Sequence, residues 1–384
     1  MNMDKILIKE MLNDSFWIMP ATPTFTSSGV PYITSKNIKA GGIQLDNAKF
    51  ISQEDYNSIA KNRPIKVNDI LISMIGTLGE AAIVKSEYGV FYGQNVYLLR
   101  INDKVLNHKF FLFFMNSLTT KRHLESKMNQ STQRYLKAEH IETLEFPNFT
   151  IDEQNESVII LDKLSMIINK RKRQIEELDM LIKSRFIEMF GDTISNNKKW
   201  VVKQLQEVGS WKSGGTPSRN NKNYFNGDID WYSAGELNEL YLKESVEKIT
   251  QEAIRESSAK IFNKGSMLVG MYDTAAFKMG ILKKDSASNQ ACANVMPYEN
   301  VHIIWLYYNL SHMKEHFLRN RRGIRQKNLN LGMIKEFEIP VPPIDFQNQF
   351  ATFVQQVDKL KVEAQKSLDE MQVLFDSLMQ KYFG

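Results

Sequence analysis

The stretch "KEFEIPVPPIDFQNQF", residues 335–350, runs from a short apolar strand through Pro340, Pro342 and Pro343 into a long helical pattern. Almost the same phrase, "IETLEFPNFTIDEQNES", stands at residues 141–157. Ile151-Asp152-Glu153-Gln154-Asn155 answers Ile344-Asp345-Phe346-Gln347-Asn348, and the register runs without a gap to Phe190-Gly191 and Phe383-Gly384, a period of about 193 residues. Upstream, "HKFFLFFMNS" (108–117) answers "HIIWLYYNLS" (302–311), "DILISMIGT" (69–77) answers "SMLVGMYDT" (266–274), and "GVPYITSKNI" (29–38) answers "DIDWYSAGEL" (228–237). One matched segment is easily accidental. Several in the same order read as a duplication: globular unit, helix, globular unit, helix.

The two helical stretches, 152–190 and 345–383, contain neither glycine nor proline and would each extend roughly 55–60 Å at 1.5 Å per residue. Leu161, Leu164, Ile168, Ile175, Leu178, Ile182 and Met189 follow three-four spacing in the first. Val354, Val357, Leu360, Ala364, Leu368, Met371, Leu374 and Leu378 do so in the second. A lone helix cannot hide such a stripe, so an antiparallel pair is expected. Asp152 and Asp345 are read as N-caps, with the prolines preventing an earlier start.

Each globular unit mixes short strands ("DILISMI", "NVYLLRI", "SMLVGMY") with glycine-marked turns and one aromatic-rich helix, 107–127 and 298–320. The fold class expected is therefore α+β: two globular domains with an irregular β core, separated by two long helices forming an antiparallel coiled coil. The expected divisions are 1–150, 151–192, 193–343 and 344–384.

Composition constrains function. The chain has 384 residues, 42% hydrophobic and 24% charged, with a formal net charge of +5, which is compatible with nucleic acid without establishing it. A single cysteine, Cys292, excludes an intramolecular disulfide framework and a cysteine-rich zinc site, and fits a reducing, cytoplasmic setting. The N-terminus lacks a signal-peptide pattern, and no stretch approaches the roughly 18 apolar residues of a membrane span. No P-loop, no dinucleotide-binding glycine motif, no [N/D]-P-P-[F/Y/W] tetrapeptide and no H-E-x-x-H occurs. His312 and His316 are spaced i, i+4 but have no clear third ligand. These absences together favour binding over catalysis: no catalytic, cofactor-binding or metal-ligating residue is assigned.

The strongest charge feature is "RNRRGIRQKNLN" (319–330), which supplies Arg321, Arg322, Arg325, Gln326, Lys327 and Asn328. Arginine forks suit phosphate oxygens and guanine, and amides suit adenine; the competing reading is a solvated basic face. The equivalent stretch of the first copy offers Ser131, Thr132, Gln133, Arg134 and Lys137. Further loops contribute Thr216, Ser218, Arg219 and Lys222, then Tyr272, Thr274 and Lys278, then Gln290; the first copy contributes Thr24, Lys36, Thr77 and Gln94. A buried glutamine satisfying a turn competes with base contact at Gln290 and Gln94.

The whole length resembles the specificity subunit of type I restriction-modification systems. The carriers are "WKSGGTPSRNNKNYFNGDIDWYSAGEL" (211–237), "GIRQKNLNLGMIKEFEIPVPPIDFQNQF" (323–350) and the duplicated domain-plus-helix order. The resemblance implies two target-recognition domains, each reading one half of a bipartite site in double-stranded DNA. It implies helices that set the spacer and dock two methylase subunits, with restriction subunits joining through the complex. AdoMet, ATP and Mg belong to those partner subunits, and none is expected in this chain. The alternative is a duplicated coiled-coil scaffold that binds only protein. The first copy departs from the pattern in having no close counterpart of Trp211 ahead of Ala21-Thr22-Pro23.

Overall fold

The computed structural model of the chain describes residues 4–20, 23–39, 42–76, 78–127, 135–319 and 329–384. It divides into two compact units: one runs up to Lys172 and takes in Lys366–Gly384, and the other is Arg173–Gln365.

In the first unit a four-stranded antiparallel sheet has the order Leu12–Ile18, Val96–Ile101, Ile70–Ser73, Ala81–Ile83. In the second, Gly209–Ser213, Cys292–Pro297, Met267–Gly270 and Met279–Ile281 follow the same order and sense. The apolar runs at Ile70–Ser73 and Met267–Gly270 are buried throughout, as strands covered on both faces must be. A second small sheet also recurs. Val30–Thr34 takes Tyr92–Gln94 in parallel and Lys49–Ile51 antiparallel, and Ile229–Tyr232 takes Ala287–Ser288 and Glu247–Ile249 in the same ways. Strand Leu12–Ile18 occupies the sheet position of Gly209–Ser213, with Ser15, across Leu99 from Ile70, standing where Trp211 stands across Val295 from Met267. The counterpart that the sequence of the first copy lacks is thus present in three dimensions, conserved in pairing rather than in residues.

The opening phrase forms strand Glu338–Val341, paired antiparallel with Val201–Gln204 so that Pro340 faces Val202; Glu145–Pro147 pairs with Lys5–Leu7 likewise. These two-stranded sheets leave proline at an edge, where its missing N–H costs no ladder bond. The long helices are Ile151–Phe190 and Ile344–Phe383.

The N-caps differ from expectation. Thr150 caps the first helix: its hydroxyl accepts from the Glu153 amide at 3.3 Å, while Glu153 Oε2 accepts from the Thr150 amide at 2.8 Å. This is a capping box, and the Thr150 hydroxyl holds the Glu153 carboxyl below its usual range. At the second helix the Pro343 carbonyl accepts from the Phe346 and Gln347 amides. Asp152 and Asp345 lie inside the first turn, where they face the positive end of the helix dipole without capping it.

Within each unit the segments of the two long helices run antiparallel. In the first, Val158 and Leu161 share a core with Leu378, Tyr382 and Phe383. In the second, Ile182, Phe186 and Phe190 share one with Phe350, Val354 and Val357. Aromatic residues carry much of this seam, whereas Leu360 and Leu374, expected on it, are exposed. The helix expected over 107–127 is two, His108–Asn116 and Leu118–Ser126, because Ser117 is extended and its hydroxyl accepts from the Thr120 amide. The helix expected from 298 begins at Ile303.

A turn follows the first long helix. Asp192 accepts from the Ile194 and Ser195 amides and the Ser195 hydroxyl, and lies 3.1 Å from His312 Nε2. The Ser195 hydroxyl, then His312, depress its carboxyl to about 2. The folded value lies below the ordinary one, so the stabilisation is complete above about pH 4 and is lost as pH falls toward the folded value. Urea denaturation of wild type and Asp192→Asn should therefore show a stability gap at about pH 5 that narrows as pH falls and is about a third as large by about pH 2.5. A gap that stays constant over that range removes Asp192 as its source.

Candidate nucleic-acid interface

In the second unit the "SGGTP" loop is drawn against its neighbours by backbone bonds, Gly214 N to Cys292 O at 3.0 Å and Gly215 N to Ser288 O at 2.9 Å. Both glycines are required by close approach. A Cβ on Gly214 would stand 2.2 Å from the Asn289 carbonyl oxygen, and one on Gly215 would stand 2.1 Å from that of Ser258. The packing brings Thr216 against the exposed Gln290, whose amide oxygen accepts from the Thr216 hydroxyl. Met271 N bonds to Ala291 O at 2.9 Å, and Leu329 N to Met271 O at 2.8 Å. Three of the predicted loops, 213–225, 271–280 and 288–292, are thereby joined to one another and to Leu329.

Between strands Met267–Gly270 and Met279–Ile281, Phe277 takes the left-handed conformation (φ 54°) and buries its ring against Phe317 and Phe337. This anchor holds Tyr272 and Thr274 at the surface, with Lys278 Nζ 3.5 Å from the Gly235 carbonyl. Arg219 is engaged: its two terminal nitrogens bond both Glu247 oxygens at 2.5 and 2.8 Å, and it lies over the rings of Phe225 and Trp231 at 4.4 and 5.1 Å. Its hydrogen bonds hold the Glu247 carboxyl below the usual range. Ser218 and Lys222 are exposed on the same loop.

The first unit repeats the plan with other residues. Leu136 N bonds to Met74 O at 2.9 Å, the counterpart of the Leu329–Met271 bond, and Tyr135 bridges Ile75. The Ser35 hydroxyl accepts from Met74 N, which sets the exposed Lys36 beside this loop. Gln94 is partly buried and accepts from the Tyr32 hydroxyl at 3.4 Å; burial pushes that phenol up to about 12. Thr24 and Lys137 are exposed. Thr77, Ser131, Thr132, Gln133, Arg134, Arg321, Arg322, Arg325, Gln326, Lys327 and Asn328 lie outside the described residues.

Sequence reasoning missed two polar residues that the fold buries completely. Gln154 and Gln347, one repeat apart, are wholly buried. Gln154 accepts from Asn107 N and donates to the Val105 and Phe149 carbonyls. Gln347 accepts from His302 N and donates to the Asn300 and Pro342 carbonyls. Each glutamine bolts the start of a domain helix to the first turn of a long helix. The signal was the identical register of the two, with an apolar helix following.

Among the described residues no group of three or more His, Cys, Asp or Glu is placed to hold a metal, and no helix is long and apolar enough to cross a membrane.

A module built twice, with its polar loops gathered at the same architectural point, is the framework of a paired recognition protein. The family model of the type I restriction modification DNA specificity domain matches residues 19–177 and again 197–370, and the chain belongs to that family. It is 31% identical over 179 residues to the type I restriction enzyme MjaIX specificity subunit of Methanocaldococcus jannaschii, covering 45% of this chain and 41% of that protein. It is 27% identical over 229 residues to the EcoR124I/EcoR124II specificity subunit of Escherichia coli, covering 56% and 54%. The matches thus span about half the length of these curated relatives. The crystal structure of the type I restriction-modification S subunit from M. genitalium superposes with a TM-score of 0.64 at 15% identity, covering 100% of this chain and 97% of that one, a likeness of fold.

Proposed function

We propose that the chain is the DNA-specificity subunit of a type I restriction-modification complex, in which residues 1–150 and 193–343 each read one half of a bipartite target in double-stranded DNA. The observation that carries this reading is the paired loop geometry: Leu136–Met74 in one unit and Leu329–Met271 in the other return the chain to the same strand end, with different side chains around it. Equal frameworks with unequal polar residues suit two modules with different half-sites. Thr24, Lys36, Lys137, Ser218, Lys222, Tyr272, Thr274 and Lys278 are the described candidates for contact, with Thr216 orienting Gln290. Arg219, paired with Glu247, shapes its loop. Basic side chains supply salt-dependent phosphate attraction, and polar ones read base edges.

The long helices, 151–192 and 344–384, dock two methylase subunits and set the spacer between half-sites. Exposed apolar residues at heptad spacing support this: Ile159, Ile160, Met166 and Ile167 in the first unit, and Met180, Leu181 and Ile187 in the second. Restriction subunits join through the assembled complex. The chain itself makes and breaks no bonds; AdoMet, ATP and Mg act on the partner subunits, and the complex works in the cytoplasm.

Neutralising Arg321, Arg322 and Arg325 together should weaken DNA binding and lower the slope of log affinity against log salt by about 2–3, one phosphate contact each. Affinity unchanged across a salt series removes that loop from the interface. Methylome sequencing of the host with and without this gene tests the whole reading; an unchanged methylation pattern refutes it.

A further inference from the structure

The second, smaller sheet of each unit carries a cation laid on a pair of aromatic rings. In the first unit Phe25 and Tyr32 stand edge to face with ring centroids 5.8 Å apart, and Lys49 Nζ lies 4.2 Å from the Phe25 centroid. In the second, Phe225 and Trp231 stand edge to face at 5.9 Å, and the Arg219 guanidinium lies 4.4 and 5.1 Å from their centroids. The positions correspond. Tyr32 faces Lys49 across its ladder as Trp231 faces Glu247. Phe25 follows Thr22-Pro23 at the spacing at which Arg219 follows Thr216-Pro217. One platform is thus built twice, with the roles of its surface residues exchanged. The Thr-Pro loop supplies a ring in the first copy and the cation in the second. The strand supplies the cation in the first copy and an acid in the second.

That exchange changes the charge left over. Arg219 gives both terminal nitrogens to the two Glu247 oxygens, so the second platform is neutral. Lys49 is exposed, and among the described residues no carboxylate pairs with it, so the first platform keeps a full positive charge. Rings beside an ammonium group attract it without neutralising it. They narrow the space through which the side chain swings, so less ordering cost remains when an anion arrives. Lysine meets a phosphate oxygen as a point charge, with no fixed fork geometry to satisfy. Phe25 adjoins Thr24, already a candidate contact, which puts Lys49 on the same polar loop surface.

We propose, resting on the DNA-binding reading above, that Lys49 on Phe25 and Tyr32 is a phosphodiester anchor of the first unit, and that Arg219 is its counterpart in the second unit, held shut by Glu247. The two units then grip the DNA backbone unequally, because one cation is free and the other must first exchange a carboxylate for a phosphate.

The test is fluorescence anisotropy of the full-length chain with a mixed-sequence duplex of about 40 base pairs over a sodium chloride series, since phosphate contacts are independent of sequence. Lys49→Gln should lower the slope of log affinity against log salt by about 1, and Lys49→Arg should restore it. Arg219→Gln should leave the slope within about 0.3 of wild type. Glu247→Gln, which frees Arg219, should raise it by about 1, and adding Arg219→Gln to that variant should cancel the rise. A Lys49→Gln slope equal to wild type overturns the anchor, and a Glu247→Gln slope that does not rise overturns the gate. Absence of salt-dependent binding by the wild type is a separate failure, which sinks the DNA-binding reading and this one with it. Urea midpoints of the variants should match wild type, because all three head groups reach solvent, so a changed slope reports lost or gained phosphate contact rather than lost fold.

Discussion

Replacing Gln347 by alanine is expected to destabilise the second unit by about 3–5 kcal/mol, a large effect for a polar side chain. The residue is fully buried and makes three hydrogen bonds, all to backbone. Truncation leaves the His302 N–H at a helix start and the Asn300 and Pro342 carbonyls without partners. Each buried orphan costs about 1–3 kcal/mol. Glutamate at this position keeps the acceptor for His302 but turns both donor contacts into carboxylate against carbonyl, and should be no better. The neighbouring Asn348 is exposed, so Asn348→Ala should change stability by less than about 0.5 kcal/mol. The urea midpoint reads all three. A Gln347→Ala variant as stable as Asn348→Ala would show that the three bonds do not hold the junction.

Phe190→Ala should cost the second unit a similar amount, about 3–5 kcal/mol, for an apolar reason. The ring is 1% exposed and lies edge-on to Phe350 and Trp305, with Phe186 at 5.0 Å. Removing it takes away the buried area and leaves a cavity between rigid rings that cannot collapse into the space. Phe190→Leu fills much of the volume and should recover over half of the loss. The check is thermal or urea unfolding of the two variants side by side. Equal stabilities for alanine and leucine would deny the packing role.

The pairs legible in the chain were those whose signal is local. Proline followed by a helical period marked both junctions, and the register from Ile151 and Ile344 marked the duplication. The α+β class and the antiparallel association of the long helices followed from apolar stripes that a single helix cannot cover. The details that failed were those in which two residue types satisfy the same local rule. Asp152 and Asp345 had cap chemistry, but Thr150 with Glu153 and the carbonyl of Pro343 take that place two residues earlier. The helix expected over 107–127 broke at Ser117 because a hydroxyl bonding the backbone competes with helix continuation.

The candidate interface divides in the same way. The sequence by itself marked which loops are polar and paired between the copies, because glycine, proline and charge are read residue by residue. Which of those side chains remain available was decided only in three dimensions. Arg219 reads as a phosphate contact until Glu247, distant in the chain, pairs with it and the rings of Phe225 and Trp231 lie beneath it. Gln154 and Gln347 read as ordinary early-helix amides until the fold lays carbonyls and amides from another helix start around them. A hydrogen bond or a stacked ring needs a partner at about 3–6 Å, and only the folded chain sets that distance. Local pattern therefore determined the duplication and its elements, and tertiary packing decided which polar groups are spent on structure and which face outward.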